Sequence, residues 1–307
     1  MVSGAGGIGR SLAEELQRQH GSVTVVSRSG AGPAGKGVRK VGVDVSDPAQ
    51  VAQVCTGATV VYHCVNPPYH RWLELFPAIQ ASIIEGVAAA GARLVMADNL
   101  YMYGRTKGKP MTEETPAQPV STKGELRALM SQQVLDAHHA GKLEATIGRA
   151  SDYFGPHGLS SHMGGRVFYP LLANKRAQVI GNPDTRHTYH YLPDIAQGLI
   201  TLGERQEAVG RVWHLPSAGA VTTRQFVEMI AEQAGSTPGL RVMPPLLLAS
   251  LSWVNPTLRA VKGELYQFED EWVSDDSAYR STFKSGPTPL PEAISATVDW
   301  YRTNPRR

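Results

Sequence analysis

The sequence has few cysteines, no long apolar run and no block of charge of one sign. Its 307 residues include only two cysteines, Cys55 and Cys64. That number is too small for a disulfide framework, and no histidines stand near them at metal-site spacing, so we expect two buried thiols and no metal. No apolar run approaches the about 20 residues that span a membrane. The N-terminus does not resemble a signal peptide, because no basic segment precedes an apolar core. These absences predict a cytoplasmic protein without a membrane partner.

The charge distribution also excludes one class of partner. The chain has 30 basic and 27 acidic side chains, a formal net charge of only +3, and both signs are spread along its length. Nucleic-acid-binding proteins usually carry a basic stripe or arm, and none is present. The sequence therefore predicts a small-molecule substrate and no nucleic acid.

The first half of the chain alternates short apolar runs with amphipathic segments. Strands are predicted at residues 23–26, 59–62, 93–96 and 143–147, and helices at 11–20, 76–90 and 126–139. Apolar, β-branched strands that alternate with helices are typical of a parallel sheet covered on both faces. The fold class is therefore predicted to be α/β, with a doubly wound parallel sheet.

The pattern changes after about residue 150, where glycine and proline interrupt the chain. Helices are predicted at 193–203 and at 290–301, and a third helix is predicted to begin after an N-cap at Thr222. A strand is predicted at 212–215. We expect residues 1–150, with returning segments near 187–215, to form the nucleotide-binding domain. Most of residues 151–307 is expected to form a small mixed C-terminal substrate lobe.

A glycine-rich loop lies at the start of the chain. Gly4, Gly6 and Gly9 fit the pattern G-x-G-x-x-G, and a predicted helix follows directly. Glycines allow the tight turn and let a pyrophosphate approach the backbone, where amides such as those of Gly7 and Ile8 bind its oxygens. Only three residues precede Gly4, so the first strand is predicted to be very short. The loop predicts a Rossmann-type dinucleotide-binding domain.

The end of the second strand distinguishes between the two nicotinamide cofactors. NAD binders place an acidic residue there to bind the ribose hydroxyls, whereas this strand ends in Ser27 and Arg28. Arg28 would bind a 2′-phosphate bidentately, and Arg10 adds a second positive charge. Asp44 and Val45 are predicted to end the third strand, beside the adenine. The predicted cofactor is NADP(H).

Five segments, in this order, resemble the extended short-chain dehydrogenase/reductase family, which includes the NAD-dependent epimerases and dehydratases. They are H-C-V-N at 63–66, Y-G at 103–104, R-A-S-D-Y-F-G-P at 149–156, Y-H-Y-L-P-D-I-A at 189–196 and V-D-W-Y at 298–301. The resemblance implies that the first segment lies beside the cofactor ribose. The cofactor contacts that it implies are Cys64, Val65, Asn66, Lys123, Arg149, Ala150 and Asp152.

The catalytic positions depart from the family pattern, which has a Ser or Thr followed by Y-x-x-x-K. Alignment places Asn99 at the Ser/Thr position, Lys123 at the Tyr position and Arg127 at the Lys position. Asn99 would donate a hydrogen bond to a substrate oxygen. Lys123, if its pKa is lowered by desolvation or by Arg127, would act as acid or base, and Tyr101 is a second candidate proton donor. The alternative for Lys123 is a solvated side chain without a catalytic role, and the alternative for Tyr101 is an aromatic ring that only packs.

The leading function is NADP(H)-dependent oxidation or reduction of a small carbonyl, enone or hydroxyl metabolite. One alternative is an epimerase or dehydratase that retains its cofactor, and another is an NADP(H)-sensing protein without turnover. A homodimer would pack the helices near 76–90 and 124–139. The residues expected to line the substrate site are Tyr69, His70, Asp152, His157, His162, Arg186, His187 and Tyr191.

Overall fold

A computed structural model describes residues 1–237, 239–244, 250 and 252–305. The described strands are β1 Val2–Ser3, β2 Val23–Ser27, β3 Val38–Gly42, β4 Val60–His63, β5 Arg93–Asp98, β6 Ala145–Arg149, β7 Tyr153–Phe154, β8 Ala177–Val179, β9 Arg186–Thr188, β10 His190–Tyr191, β11 Val212–His214, β12 Ala220–Thr222 and β13 Leu240–Val242. The described helices of four or more residues are α1 Gly7–His20, α2 Pro48–Cys55, α3 Trp72–Ala89, α4 Thr122–His139, α5 Gly165–Leu172, α6 Leu192–Glu204, α7 Thr223–Ala234, α8 Pro256–Lys262, α9 Tyr266–Glu269, α10 Ser277–Phe283 and α11 Leu290–Thr303.

Seven strands form one parallel sheet in the order β11-β6-β5-β4-β1-β2-β3. The chain starts in the middle of this sheet and runs to one edge through β2 and β3. It then crosses back over β1 to build β4, β5 and β6. This doubly wound order confirms the predicted fold class, and it brings the carboxyl ends of all seven strands to one edge.

Helices cover both faces of the sheet, as the apolar strands require. On one face, α1 and α6 pack together against residues such as Val25 and Val95, which are fully buried. On the other face, α2, α3 and α4 pack over Leu94, Met96 and Ile147. Along the described residues, no helix has both the length and the apolar character needed to cross a membrane.

The remaining strands form three short pairs outside the sheet: β7 with β10, β8 with β13, and β9 with β12. Helices α5, α7 and α11 pack around Phe154, Phe168 and Phe226 to form a second apolar core. The predicted N-cap of α7 is confirmed, because the Thr222 hydroxyl accepts from the Gln225 amide at 3.1 Å in a capping box. The division of the chain at residue 150 stays a prediction.

The predicted helices and strands are present, and their ends differ by a few residues. One difference concerns predicted site residues. Strand β3 ends at Gly42, so the prediction that Asp44 and Val45 end this strand is wrong. Both residues lie in the loop that leads to α2. Asp47 caps that helix by accepting from the amides of Ala49 and Gln50.

Candidate functional site

The glycine loop connects β1 to α1 at the carboxyl edge of the sheet. Gly4 has φ +109°, and a Cβ there would lie 2.5 Å from the carbonyl oxygen of Cys64. A Cβ on Gly9 would overlap the carbonyl oxygen of Gly4. Only glycine fits at these two positions, because the loop folds back against its own backbone and against the end of β4.

Gly6 is different, because the loop leaves open space beside it. A Cβ on Gly6 would meet no protein atom within 4 Å. Gly6 is the N-cap of α1 and provides no capping side chain. In the described residues, the amides of Gly7, Ile8 and Gly9 have no protein acceptor. An open space faced by a helix N-terminus with free amides fits the pyrophosphate of a dinucleotide.

The ends of β2 and β3 follow β1 in the sheet, between the glycine loop and one sheet edge. The exposed guanidinium of Arg28 makes no salt bridge with any residue that the structure describes. Ser27 donates to the carbonyl oxygen of Ala31 at 2.7 Å. Arg10 donates to the carbonyl oxygen of Ala5 at 3.1 Å, so it braces the loop. Hydrogen bonds from Ser46 and a smaller effect of Arg28 hold the pKa of Asp44 below its usual value.

A buried ionic network lies at the carboxyl ends of β5 and β6. Asp98 accepts from Arg127 Nε at 2.7 Å, from Ser131 Oγ at 2.7 Å and from Arg149 Nε at 3.3 Å. Arg149 also donates to the Tyr103 hydroxyl at 2.6 Å. Burial disfavours the charged form of Asp98, and the two guanidinium groups offset this effect, so the pKa of Asp98 is lowered.

Two residues that the alignment placed at the site belong to this network. Arg127 is 5% exposed and Arg149 is 7% exposed, and both guanidinium groups are committed to Asp98. Burial, rather than Arg127, lowers the pKa of Lys123. Ala150, which follows β6, packs into the core beneath.

Asn99 and Tyr101 follow β5, as the alignment predicts. The Asn99 side-chain oxygen accepts from the Tyr101 amide at 3.1 Å, which orients the amide group of Asn99. The Tyr101 hydroxyl lies 3.4 Å from the hydroxyl of Tyr69, and its ring stacks on Trp72. Burial, followed by the nearby carboxylate of Asp152, raises the pKa of Tyr101. The structure therefore brings Asn99, Tyr101 and Tyr69 together.

Lys123 lies at the start of α4, beneath the segment that contains α8 and α9. Its ammonium group donates to the carbonyl oxygen of Ala260 at 3.0 Å and lies 4.6 Å from the centre of the Tyr69 ring. Burial lowers the pKa of Lys123, and the carboxylate of Glu264 opposes this effect. Glu264 accepts from the Ser121 hydroxyl at 2.9 Å, and burial raises its pKa. Glu264 and Ser121 were missed by the sequence reasoning.

Asp152 and His187 form a pair that joins the end of β6 to β9. His187 Nε2 lies 2.9 Å from Asp152 Oδ2. His162 is close by, and burial lowers its pKa to about 4, while its Nε2 has no hydrogen-bond partner in the described part of the chain. The sequence analysis places Asp152 with both the cofactor and the substrate contacts, and His187 with the substrate contacts. In the structure, these two side chains contact each other.

Other predicted site residues lie in different surroundings. His157 contacts Glu14 of α1 at 3.0 Å and the Trp300 ring, and Arg186 forms a surface pair with Glu271 at 2.7 Å. The remaining positions follow β4 or border the lobe: Cys64 and Val65 are half-buried, Asn66 and His70 are exposed, and half-buried Tyr191 packs on Phe154. Across the described ranges, no three His, Cys, Asp or Glu side chains are grouped to hold a metal ion.

Comparison with known proteins gives consistent relatives. The model of the NAD dependent epimerase/dehydratase family matches residues 1–215. The chain is 26% identical over 261 residues to the dTDP-6-deoxy-L-talose 4-dehydrogenase (NAD(P)(+)) of Kitasatospora kifunensis, and the match covers 80% of this chain and 81% of that protein.

Solved structures of low sequence identity share the fold. An epimerase from Methanothermobacter thermautotrophicus has a TM-score of 0.81 at 17% identity, covering 99% of this chain and 91% of that one. A dTDP-glucose 4,6-dehydratase double mutant from Streptomyces venezuelae, with NAD bound, has a TM-score of 0.80 at 18% identity, covering 99% and 96%. These similarities confirm the fold over nearly the whole chain.

The open space at Gly6 leads to a prediction about two valine substitutions. Gly6→Val should melt near the wild-type temperature, because a Cβ at this position meets no protein atom within 4 Å. It should raise the Kd for NADPH, measured by calorimetry, by more than about tenfold, because the side chain occupies the pyrophosphate space. Gly9→Val should lower the melting temperature, because its side chain overlaps the Gly4 carbonyl. Unchanged NADPH affinity in Gly6→Val would contradict this assignment.

The Asp98 network leads to a prediction about stability. Asp98→Asn should lower the free energy of unfolding at neutral pH by about 3–5 kcal/mol, because two buried guanidinium groups lose their counter-charge. Since the folded-state pKa of Asp98 is lowered, its contribution is present above the unfolded pKa of about 4 and is lost as the pH falls. The difference between variant and wild type in urea unfolding should therefore shrink in acid.

The matched control is Asp299→Asn, which removes an exposed pair with Arg302 at 3.0 Å. This substitution should cost less than about 1 kcal/mol at every pH. Equal losses in the two variants would show that the Asp98 network does not stabilise the fold in this way.

Proposed function

The chain belongs to the NAD-dependent epimerase/dehydratase family, and we propose that it is an NADP(H)-dependent oxidoreductase. Its reaction is the interconversion of a hydroxyl and a carbonyl group on a small sugar-nucleotide-like substrate. The single observation that carries the cofactor assignment is the exposed Arg28, which has no salt-bridge partner among the described residues at the end of β2.

The preference for NADP(H) rests on the chemistry at that strand end. An acidic side chain at this position would bind the two ribose hydroxyls of NAD and would repel a 2′-phosphate. Here the strand ends in Ser27 and the next residue is Arg28. A guanidinium group binds a phosphate bidentately and loses little by leaving water at an exposed site. Arg10 is used to brace the loop, so Arg28 supplies most of the discrimination.

The substrate class rests on the relatives and on the polar groups beside the nicotinamide end. The Kitasatospora relative is named for a dTDP-6-deoxyhexose, and we transfer from it only the class of nucleoside-diphosphate sugars. Asn99, Tyr101 and Asp152 follow the adjacent strands β5 and β6, where the cleft needs hydrogen-bonding groups to hold sugar hydroxyls. Such groups also reject substrates that lack these hydroxyls.

When bound, the cofactor donates or accepts the hydride. Asn99 is oriented by the Tyr101 amide, so its amide N–H can hold the substrate oxygen whose charge changes in the reaction. Lys123 and Tyr101 lie behind this oxygen position, together with Tyr69. We assign them to holding the substrate at that oxygen. A homodimer through α3 and α4 stays a prediction, supported by the exposed Leu73 and Leu129.

The cofactor preference is tested by comparing NADPH with NADH. The wild type should bind NADPH at least about tenfold more tightly, and Arg28→Ala should lose this preference because one charge-assisted contact is worth about 1.5–3 kcal/mol. Arg39→Ala is the matched control: it removes the same charge from neighbouring β3, where the guanidinium contacts Thr24. Equal wild-type affinities for NADPH and NADH would refute the cofactor assignment.

The catalytic assignment is tested by turnover with NADP⁺ and dTDP-6-deoxy-L-talose, followed by a panel of dTDP- and UDP-hexoses. Asn99→Ala and Lys123→Ala should lower kcat by at least about tenfold, with the Kd for NADPH nearly unchanged. Unchanged kcat in both would move the reacting groups to Tyr101. Product formation without net change in NADPH would indicate an epimerase or dehydratase, and tight NADPH binding without any turnover would indicate a sensor.

A further inference from the structure

The ring of His187 is held in one orientation. It lies between two aromatic rings, with centroid distances of 4.7 Å to Tyr189 and 5.3 Å to Phe268 and interplanar angles of 21° and 5°. The residue is 2% exposed. Because neighbours cover both faces of the imidazole, its two nitrogens keep fixed partners.

Those partners determine how many protons the pair holds. His187 Nδ1 lies 3.2 Å from the carbonyl oxygen of Gln267, which only accepts, so Nδ1 carries a hydrogen. Nε2 lies 2.9 Å from Asp152 Oδ2, and a contact this short between two acceptors is repulsive. One more proton therefore lies between the imidazole and the carboxylate.

The Nε2 atom of His187 also has a hydrogen-bond partner after this proton leaves. The Ser151 hydroxyl lies 3.3 Å from His187 Nε2 and can rotate its hydrogen toward that nitrogen. A neutral imidazole beside a carboxylate is then stabilised by the hydroxyl. After the proton leaves, Nε2 still has a donor in this hydroxyl, and the Asp152 carboxylate, 19% exposed, has solvent beside it.

Within the pair, the Asp152 carboxylate is more exposed than the His187 ring. The Asp152 side chain is 19% exposed, whereas the His187 side chain is 3% exposed. Asp152 follows β6 by three residues and Asn99 follows β5 by one, and Asp98 pairs with Arg149 in the register of these two strands. Asp152 therefore stands on the same edge as Asn99 and near Tyr101 and Tyr69, whose pKa values its charge raises.

The other candidate acids are less suited to exchange a proton. The Tyr101 hydroxyl faces the hydroxyl of Tyr69, and in the described surroundings no cation contacts it to stabilise a phenolate. The Lys123 ammonium is held by the Ala260 carbonyl and the Tyr69 ring. The family's usual tyrosine and lysine are replaced here, so a different group must move the proton.

We infer that Asp152 and His187 form the proton-transfer couple of this enzyme, an inference that rests on the proposed function. In reduction, the carbonyl carbon receives the hydride from NADPH, the C=O π bond breaks, and Asp152 delivers the shared proton to the oxygen to form the hydroxyl. The pair is left as neutral imidazole and carboxylate, which solvent reprotonates. In oxidation, Asp152 removes the hydroxyl proton as the hydride leaves to NADP⁺. Asp152 contacts the substrate. His187 orients the Asp152 carboxylate and carries a positive charge while the pair is protonated.

Several other titratable groups surround the pair and belong in any pH analysis. Burial lowers the pKa of both His162 and His190 to about 4, so these rings are neutral in the working range. His190 is also fixed by the Ser151 amide and the Leu215 carbonyl. The Asp152 carboxylate acts on four tyrosines, Tyr69, Tyr101, Tyr153 and Tyr189. Glu264 acts on Tyr69 and Tyr101, and Arg166 acts on His162.

The test measures oxidation of dTDP-6-deoxy-L-talose by NADP⁺ from about pH 5 to about pH 9, because the pH dependence of kcat/KM reports the essential acid and base. In the wild type, kcat/KM should rise with pH as the pair loses its proton. Asp152→Asn keeps the shape and a hydrogen bond to His187, and should lower kcat about 100-fold and remove this limb. Ser151→Ala should shift the limb to higher pH, because the deprotonated pair loses its hydroxyl partner. His20→Gln is the control, since it breaks a His–carboxylate pair of 2.9 Å with Glu204 outside the cleft.

The outcomes separate the two proposals. No turnover by the wild type with this probe or the hexose panel overturns the proposed function, and the catalytic role with it. Wild-type turnover with an unchanged pH profile in Asp152→Asn overturns only the inference. Nitrogen-15 NMR of His187 gives a readout without substrate: loss of the proton at Nε2 on Asp152→Asn substitution supports the shared proton, and its persistence overturns it. If Asp152→Asn does not fold, the Ser151→Ala shift decides.

Discussion

The buried carboxylate of Asp98 is the interaction on which the site depends. It joins β5 to β6 through Arg149 and both strands to α4 through Arg127 and Ser131. One carboxylate and two guanidinium groups are buried together. Their burial is unfavourable unless every hydrogen-bonding group among them has a partner. That requirement fixes the relative positions of β5, β6 and α4. Asn99, Asp152 and Lys123 extend from these same elements, so the network sets the spacing of the catalytic candidates.

The glycine loop and the sheet were predictable because their constraints are local. Gly4, Gly6 and Gly9 meet a steric rule within one turn of chain, and strands such as 93–98 show their burial in their own composition. The end of β3 was misplaced because the residues beyond it cap a turn and a helix, and such short-range hydrogen bonds compete with strand pairing.

The parts that were not predicted depend on contacts between distant residues. Asp98 meets Arg127 and Arg149 across 29 and 51 residues, and nothing in the neighbouring sequence marks such pairing. Alignment placed the two arginines at a cofactor face, although their side chains satisfy a buried charge. Helices α8 and α9 have seven and four residues, too short for a periodic pattern, so the segment that covers Lys123 and supplies Glu264 was not recognised.

The return of the chain to the sheet has a consequence for how the protein is made. Strand β11 pairs with β6 only after the whole excursion through β7–β10 and α6 has been synthesised, and α6 covers the same face as α1. A nascent chain that stops at residue 150 has an open sheet edge and an uncovered apolar helix face. Such a fragment would aggregate before it became an independent module. The second apolar core is therefore completed in two steps, because α5 precedes β11 whereas α7 and α11 follow it.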